Sequence, residues 1–454
     1  MAVIVPTSGT ETITHAAGDT VVIKDGVSIT TDLAVGIGSF AADLTLRHRG
    51  TIAATDAEGL YLGATGFDAW INTTGSVSGF HGVTIRGGQG RFINDGDIYG
   101  ENVGAYLHGA TDVDFVNRGE IRGVSSAMAV WQGASDSVIR NFGLIEGTET
   151  FSAGVSFDST VSNVQLINAG TIRGEGFGVS FQGDGASLSN TGLIEGAVVM
   201  GGHFGLTITN RGDILTAGSG TAVIYTFSDT QDDTIKNFGT LGGDISLLGG
   251  DDYLFNAGGA VITGEVDMGA GDDIVFQRGG AADTVFLGAG RDVYNGALGG
   301  RALVAGESGD DRIIGGAGDD GLDGGDGADA IKGNAGADNI AGREGRDVMW
   351  GGADADQFFY YDVTDSLMGR DPDVIRDFET GVDQINLQFL PVGPLAFNGT
   401  GAFTGGGQGS IRYIERGAGG VDLRIDADGN GTADMRILIL GSDSLTVDDF
   451  VLSL

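Results

Sequence analysis

The sequence predicts an all-β fold: a right-handed parallel β-helix solenoid that runs into a parallel β-roll and ends in a C-terminal β cap. Three observations predict it. Glycine is abundant and proline scarce, at 86 and 4 of 454 residues, which supplies tight turns without a collagen repeat or a Pro-rich linker. An Asn-x-Gly phrase recurs at intervals of 20 to 27 residues. A nine-residue phrase then takes over, with Gly and Asp held in phase. The chain is 41% hydrophobic, so material for a core remains. By phase it divides into residues 1–45, an N-terminal cap with the first strands; 46–264, the Asn-x-Gly coils; 265–359, the nine-residue array; and 360–454, the cap.

The long-period phrase reads FINDGDIYG, FVNRGEIRG, IRNFGLIEG, LINAGTIRG, LSNTGLIEG, ITNRGDILT and IKNFGTLGG. Its Asn residues are Asn94, Asn117, Asn141, Asn168, Asn190, Asn210 and Asn237. Degenerate copies put His48 (LRHRGTIAA) and Asn72 (WINTTGSVSG) in the Asn position, and LFNAGGAVITG adds Asn256. Apolar residues keep phase with each Asn, as Phe92 and Ile98 do with Asn94. One repeat is therefore one coil, stacked about 4.8 Å from the last. Asn at one corner of every coil can form an amide ladder, and the Gly two residues on is expected to supply positive φ. Leucine-rich repeats also carry an Asn ladder, but their L-x-x-L-x-L lead-in is missing. The phrase resembles the repeats of bacterial haemagglutinin-like and autotransporter passenger β-helices.

The short-period units are GESGDDRII, GGAGDDGLD, GGDGADAIK, GNAGADNIA, GREGRDVMW and GGADADQFF. Gly306, Gly315, Gly324, Gly333, Gly342 and Gly351 open them, and Asp311, Asp320, Asp329, Asp338, Asp347 and Asp356 stand sixth. Ile313, Leu322, Ile331, Ile340, Met349 and Phe358 follow two positions later. Gly309, Gly316, Gly318, Gly325, Gly327, Gly336, Gly345 and Gly352 fill the second and fourth positions where glycine is kept. Eroded units upstream retain Asp273, Asp283 and Asp292, and Asp252 precedes Asp273 by about one coil. These units resemble the RTX (repeats-in-toxin) nonapeptide G-G-x-G-x-D-x-U-x.

That resemblance implies a six-residue turn and a three-residue strand per unit, with two units per coil. Asp311, Asp329 and Asp347 would then line one side, and Asp320, Asp338 and Asp356 the other. Carboxylates one strand spacing apart repel unless a cation lies among them. Calcium suits such a site, since it takes 6–8 oxygens in flexible geometry, whereas Mg²⁺ demands a tighter octahedron. Zn²⁺ and Cu²⁺ prefer His or Cys, which the array lacks. Ca²⁺ is therefore the expected cofactor. These aspartates are its expected ligands, joined by carbonyls of the turn glycines named above. Asp273, Asp283 and Asp292 are further candidates.

Residues from GGADADQFFYYDVTDS to the closing DDFVLSL resemble the C-terminal domain of serralysin-type secreted proteases. The resemblance implies a cap on the roll and an uncleaved type I secretion signal. It makes the chain an extracellular protein of a Gram-negative-type bacterium, with the type I secretion machinery as a partner. The N-terminus lacks the basic region of a Sec signal, the first Lys being Lys24. No apolar run is long enough for a transmembrane helix. Net charge is −38 and cysteine is absent, so nucleic acid, disulfides and thiolate-bound metal are excluded. Asp426-x-Asp428-x-Asn430-Gly431 opens like an EF-hand loop, but Ile437 stands where the bidentate Glu belongs, so a solvated turn is expected.

The serralysin H-E-x-x-H is missing, so that protease chemistry is rejected. Asp68, Asp112, Asp114, His81 and His108 are possible acid/base groups, and Trp70 and Trp131 possible sugar platforms; each also reads as an ordinary turn or strand residue. The expected role is a secreted structural or adhesive protein of a surface layer, matrix or adhesin, with a cell-surface glycan or further copies as partners. The alternative is a polysaccharide lyase or epimerase with its site on the β-helix.

Overall fold

The computed structural model describes residues 3–4, 19–31, 44–55, 57–63, 66–201, 205–216, 222–226, 230–279, 284–369, 371–417 and 419–452. Contacts divide the chain into two compact units, Met1–Ser246 and Leu247–Leu454. Both are built from parallel β-coils, as the periodicity predicts.

In the first unit one sheet stacks Leu44–His48, Phe67–Ile71, Gly90–Asn94, Val113–Asn117, Val138–Asn141, Gln165–Asn168, Ser187–Asn190, Thr207–Asn210 and Thr234–Asn237. Each coil turns a corner after its Asn and continues into strands such as Asp97–His108, whose register shifts between Gly100 and Val103. The two halves pair separately with Glu120–Gly123 and Ser126–Trp131. Alternation sets what faces inward: Phe92, Ile98, Phe115, Ile121 and Ile139 are fully or almost fully buried. Outside, Arg122 reaches Glu146 at 2.9 Å, and Arg173 bridges Glu146 to Glu195.

The Asn corner is the ladder that the phrase predicts. Asn94, Asn117, Asn141, Asn168, Asn190, Asn210 and Asn237 are all fully buried. Nδ2 of each donates to Oδ1 of the next at 2.8–2.9 Å. The second amide hydrogen goes to main-chain carbonyls, such as Leu193 O at 3.1 Å from Asn168. His48 occupies the same position, and its Nε2 meets the Ser76 carbonyl at 3.0 Å. Burial lowers the imidazole pKa and keeps the ring neutral.

Two expectations need correction here. Asn72 is not in the ladder; Ile71 holds that position, aligned with His48 and Asn94. Ile71 has the inward parity of its strand. The following turn is also longer, because Ile71 and Ser76 align with Asn94 and Asp97. The corner glycines also serve another purpose than the one expected. Gly96, Gly119, Gly143 and Gly170 do not adopt positive φ. A Cβ on Gly119 would instead collide with the carbonyl oxygen of Gly96, and one on Gly143 with that of Gly119. Glycine is needed for close stacking of corner on corner.

Asn168→Ala is expected to destabilise this unit by about 2–4 kcal/mol, since it strands the Asn141 donor and the Asn190 acceptor in a dry corner. Urea denaturation of the variant checks this, and a loss below 1 kcal/mol would mean that the ladder is not cooperative.

In the second unit the coil contracts. Corresponding aspartates Asp252, Asp273, Asp292, Asp311, Asp329 and Asp347 are separated by 21, 19, 19, 18 and 18 residues. One sheet runs through Arg312–Ile314, Ala330–Ala335 and Val348–Ala353. The other runs through Gly321–Asp323, Asn339–Ala341 and Gln357–Phe359. Two nine-residue units thus make one coil. The thin core between the sheets is formed by Ile313, Leu322, Ile331, Ile340, Met349 and Phe358, all buried.

The C-terminal segment closes both sheet edges. Asp373–Ile375 adds to Val348–Ala353 and is itself covered by Met435–Leu440. Gln384–Asn386 adds to Gln357–Phe359 and is covered by Phe450–Val451. Ser410–Glu415, Gly420–Asp426 and Met435–Leu440 form an antiparallel meander. The open strand edge of a solenoid is thereby paired instead of exposed. Among the described residues no helix is long and apolar enough to cross a membrane.

Candidate metal centre

Every turn of the roll brings one aspartate to the foot of a strand, and stacking of the coils converts these residues into two rows. In the first row the N–H of Asp273 donates to Oδ1 of Asp292 at 2.7 Å. The same link, at 2.8–2.9 Å, joins Asp292 to Asp311, Asp311 to Asp329, Asp329 to Asp347 and Asp347 to Asp373. The second row runs from Asp320 to Asp338, Asp356 and Asp383 at 2.8–3.1 Å. The alternation implied by the nonapeptide is present: Asp311, Asp329 and Asp347 share one row, Asp320, Asp338 and Asp356 the other.

The two oxygens of each carboxylate have different surroundings. Oδ1 accepts the main-chain N–H one coil earlier. Oδ2 of Asp273, Asp292, Asp311, Asp329, Asp338, Asp347, Asp356 and Asp373 is buried with no hydrogen-bond partner. Asp320 differs, because the Gly316 N–H meets its Oδ2 at 2.6 Å. Burial raises these carboxyls, and neighbours in the row add to the effect. Asp273, Asp292, Asp311, Asp329, Asp338 and Asp356 are pushed up to about 7. Asp347 and Asp373 are raised by burial, and each also faces further carboxylates, among them Asp365.

The glycines shape the space around Oδ2. A Cβ on Gly306, Gly315, Gly324, Gly333, Gly342 or Gly351 would overlap Oδ2 of Asp311, Asp320, Asp329, Asp338, Asp347 or Asp356. The carbonyl oxygen of the glycine one coil on, such as Gly333 O at 2.7 Å and Gly342 O at 2.8 Å, flanks the same position at Gly315 and Gly324. At these six glycines a carboxylate oxygen, joined at Gly306, Gly315, Gly324 and Gly333 by a carbonyl oxygen, lies so close over the Cα that only hydrogen fits. Gly345 holds the opposite side of its turn at φ 151°, against the Gly327 carbonyl. Gly309, Gly325, Gly327, Gly336 and Gly352 also have positive φ, whereas Gly316 and Gly318 do not. On the side of the preceding coil the latter pair packs against the irregular segment around Gly300 and Arg301.

Gly345→Ala is expected to destabilise the roll by about 2–4 kcal/mol, through a strained φ and a clash with main chain. The neighbouring Glu344→Ala should stay within about 0.5 kcal/mol. Thermal melts in calcium compare the two.

The donors fit a hard divalent cation. Buried, acceptor-only oxygens without a counter-charge destabilise the fold, and carboxylate plus carbonyl oxygen is the donor set of Ca²⁺. Asp283 lies outside the described residues. Asp373 and Asp383 extend the rows but were missed in the sequence. They follow their predecessors by 26 and 27 residues, after glycine punctuation is lost. The signal was the Asp-x-apolar phrase of Asp373-Val374-Ile375 and Asp383-Gln384-Ile385. In the cap, Asp426, Asp428 and Asp434 bring carboxylate oxygens within 4.8 Å of one another. Loop N–H groups of Asn430 and Gly431 already occupy both oxygens of Asp426.

The acid/base candidates of the first unit are mostly engaged. Asp68 pairs with Arg47 at 2.7 Å, and Asp114 sits between Arg91 and Arg140. Asp112 is an exposed turn residue with φ 52°. Trp70 donates to Asp95 Oδ2 at 2.6 Å.

No curated protein matches the chain. Among solved structures it is similar to the solution structure of a subunit of the Azotobacter vinelandii mannuronan C5-epimerase. That similarity has 28% identity over 32% of this chain and 82% of that one, with a TM-score of 0.26. A family description, the C-terminal domain of M10 serralysin peptidases, matches residues 186–452 and so takes in the aspartate rows, the turns and the cap. The chain belongs to the peptidase M10 serralysin C-terminal family.

Proposed function

We propose that this is a secreted calcium-binding repeat protein that folds on Ca²⁺ after type I export and serves outside the cell as a structural or adhesive component. The observation that carries the reading is the run of buried Oδ2 atoms without hydrogen-bond partners in both aspartate rows. Asp273, Asp292, Asp311, Asp329, Asp347 and Asp373 would hold ions along one side, and Asp338 and Asp356 along the other, where Asp320 at the row's start already accepts N–H bonds on both oxygens. The carbonyls of Gly306, Gly315, Gly324, Gly333, Gly342 and Gly351 complete the oxygen lining. Bound Ca²⁺ supplies the positive charge that the rows lack.

The chain itself supplies the rest. Its N–H ladder holds every Oδ1, so the paired Oδ2 is aimed and cannot rotate to solvent. With a net charge of −38, the metal-free chain resists compaction, which suits transit through a channel. Metal binding and folding are then one equilibrium. Circular dichroism during calcium titration, with magnesium as control, tests this. A cooperative gain of β signal is expected with calcium and not with magnesium at equal concentration. A full β signal in chelator would overturn the folding step, and no calcium uptake by calorimetry would overturn the site.

A further inference from the structure

Three stacked strands of the first unit, Ser76–Arg86, Asp97–His108 and Ser126–Trp131, carry an outward cluster unlike the rest of their sheet. Register sets Arg86 beside His108, and His108 beside Trp131, on successive coils. Two residues back along the strands, Tyr61, Thr84 and Tyr106 form the adjoining row. The Tyr106 ring meets Trp131 edge-on at 5.7 Å and His108 at 5.5 Å, and lies 5.0 Å from His81. Further along, the same row turns to Ala129, Ser156 and Ser180. Trp131 remains 39% exposed.

Two polar atoms among these rings are unsatisfied. Thr84 faces outward yet is only 2% exposed, and its Oγ1 has no hydrogen-bond partner. Its row neighbours are the two tyrosines. Nδ1 of His81 is also buried without a hydrogen-bond partner, the Glu58 carboxylate lying 4.0 Å away, while Nε2 lies 3.3 Å from Asn102. Buried polar atoms are nearly always satisfied, so an unmet pair within an outward cluster marks a place where an external group supplies the bond.

Charge adds a third observation. Arg47, Arg91, Arg118, Arg122, Arg140 and Arg173 of this unit each face a carboxylate. Arg86 is exposed and, like Arg49 and Arg211, forms no ion pair among the described residues; it is the one cation, beside Glu58 and Asp158, that acts on Tyr106. An unpaired guanidinium beside aromatic rings, in a strongly acidic chain, is a local receptor for a carboxylate.

We propose that this face binds a carboxylated oligosaccharide, an oligouronate. Trp131 and Tyr106 stack on the pyranose rings, Arg86 takes a sugar carboxylate, and Thr84 Oγ1 and His81 Nδ1 take hydroxyls. A pyranose combines an apolar C–H face with a polar rim, which matches aromatic rings bordered by hydrogen-bonding groups. Nucleic acid would need many more cations than one arginine. An apolar peptide would leave Thr84 and His81 unsatisfied. The site is independent of calcium binding at the roll.

The test is calorimetric titration of the full chain, at one fixed free calcium concentration, with an oligogalacturonide and with a cello-oligosaccharide of equal length. The oligogalacturonide is expected to bind at least about tenfold tighter. Arg86→Ala should weaken it about tenfold and leave the neutral sugar unchanged. Trp131→Ala should weaken both, and Tyr106→Phe should preserve stacking. Trp350→Ala, in the second unit, is the control and should change nothing. Circular dichroism identical to the parent establishes that each variant is folded. Binding of neither sugar, equal binding of both, or oligogalacturonide binding indifferent to Arg86 and Trp131 would overturn the proposal.

Discussion

Asp329→Asn is expected to weaken calcium binding at the roll at least about tenfold while making the metal-free chain more stable above pH 7. The two effects have opposite signs because the two carboxylate oxygens do different work. Oδ1 of Asp329 accepts the Asp311 N–H at 2.8 Å, and an asparagine oxygen can take over that bond. Oδ2 is buried and without a partner, and asparagine replaces it with an NH₂ group. An amide donor aimed at the cation position, with one negative charge fewer, removes a ligand. In chelator the same exchange removes a buried charge that nothing compensates, a gain of roughly 1–3 kcal/mol. Asp329→Ala separates the functions, since it also strands the Asp311 N–H and should destabilise the chain with or without metal. Calcium calorimetry and the β signal that remains in EGTA above pH 7 read both quantities. If the Asn variant binds calcium like the parent, or if it loses as much metal-free stability as the Ala variant, the division of labour proposed for the carboxylate is wrong.

The second expectation concerns pH. Burial and neighbouring carboxylates push Asp273, Asp292, Asp311, Asp329, Asp338 and Asp356 up to about 7, from an ordinary value of 3.8. The sign follows directly. Between these two values the metal-free folded state binds more protons than the unfolded chain, so stability falls as pH rises through that interval. Protons and calcium compete for the same oxygens. The chelated roll should therefore keep more β signal near pH 5 than near pH 8. Calcium affinity should move the other way, rising with pH until the carboxyls are ionised near pH 7 to 8. Parallel circular dichroism in chelator at the two pH values checks the first half, and calcium titrations at the same values check the second. Equal signal and equal affinity at both would show that these carboxyls ionise normally in the folded protein.

Much of the architecture was legible as period. Fixed phase between Asn and apolar residues predicted the coils of the first unit, because a parallel coil repeats its inward face at each turn. Asn94 to Asn237 could be placed in one ladder for that reason. The nine-residue phase of Asp311 to Asp356 likewise predicted which aspartates fall on one side. Legibility ended where the phase was broken. Asn72 looked like a ladder residue, but strand parity and a longer turn put Ile71 there. Asp373 and Asp383 join the rows although the intervals to their predecessors are no longer 18 residues. Their place is set by strand pairing with the coil before, which leaves no trace in spacing.

The sequence alone determined the solenoid, its two periods and an aspartate at the same step of each short coil, because repetition in the chain becomes stacking in space. Tertiary structure decided what the repetition could not express. Pairing with the neighbouring coil directs one oxygen of each carboxylate to an N–H and leaves the other buried, and it requires glycine where a corner lies against the next. It also gathers His81, Tyr106, His108 and Trp131, scattered over several repeats, on one outer face. These features depend on contact between coils. Such contacts follow from register and turn length, which are properties of the folded stack and of no single repeat.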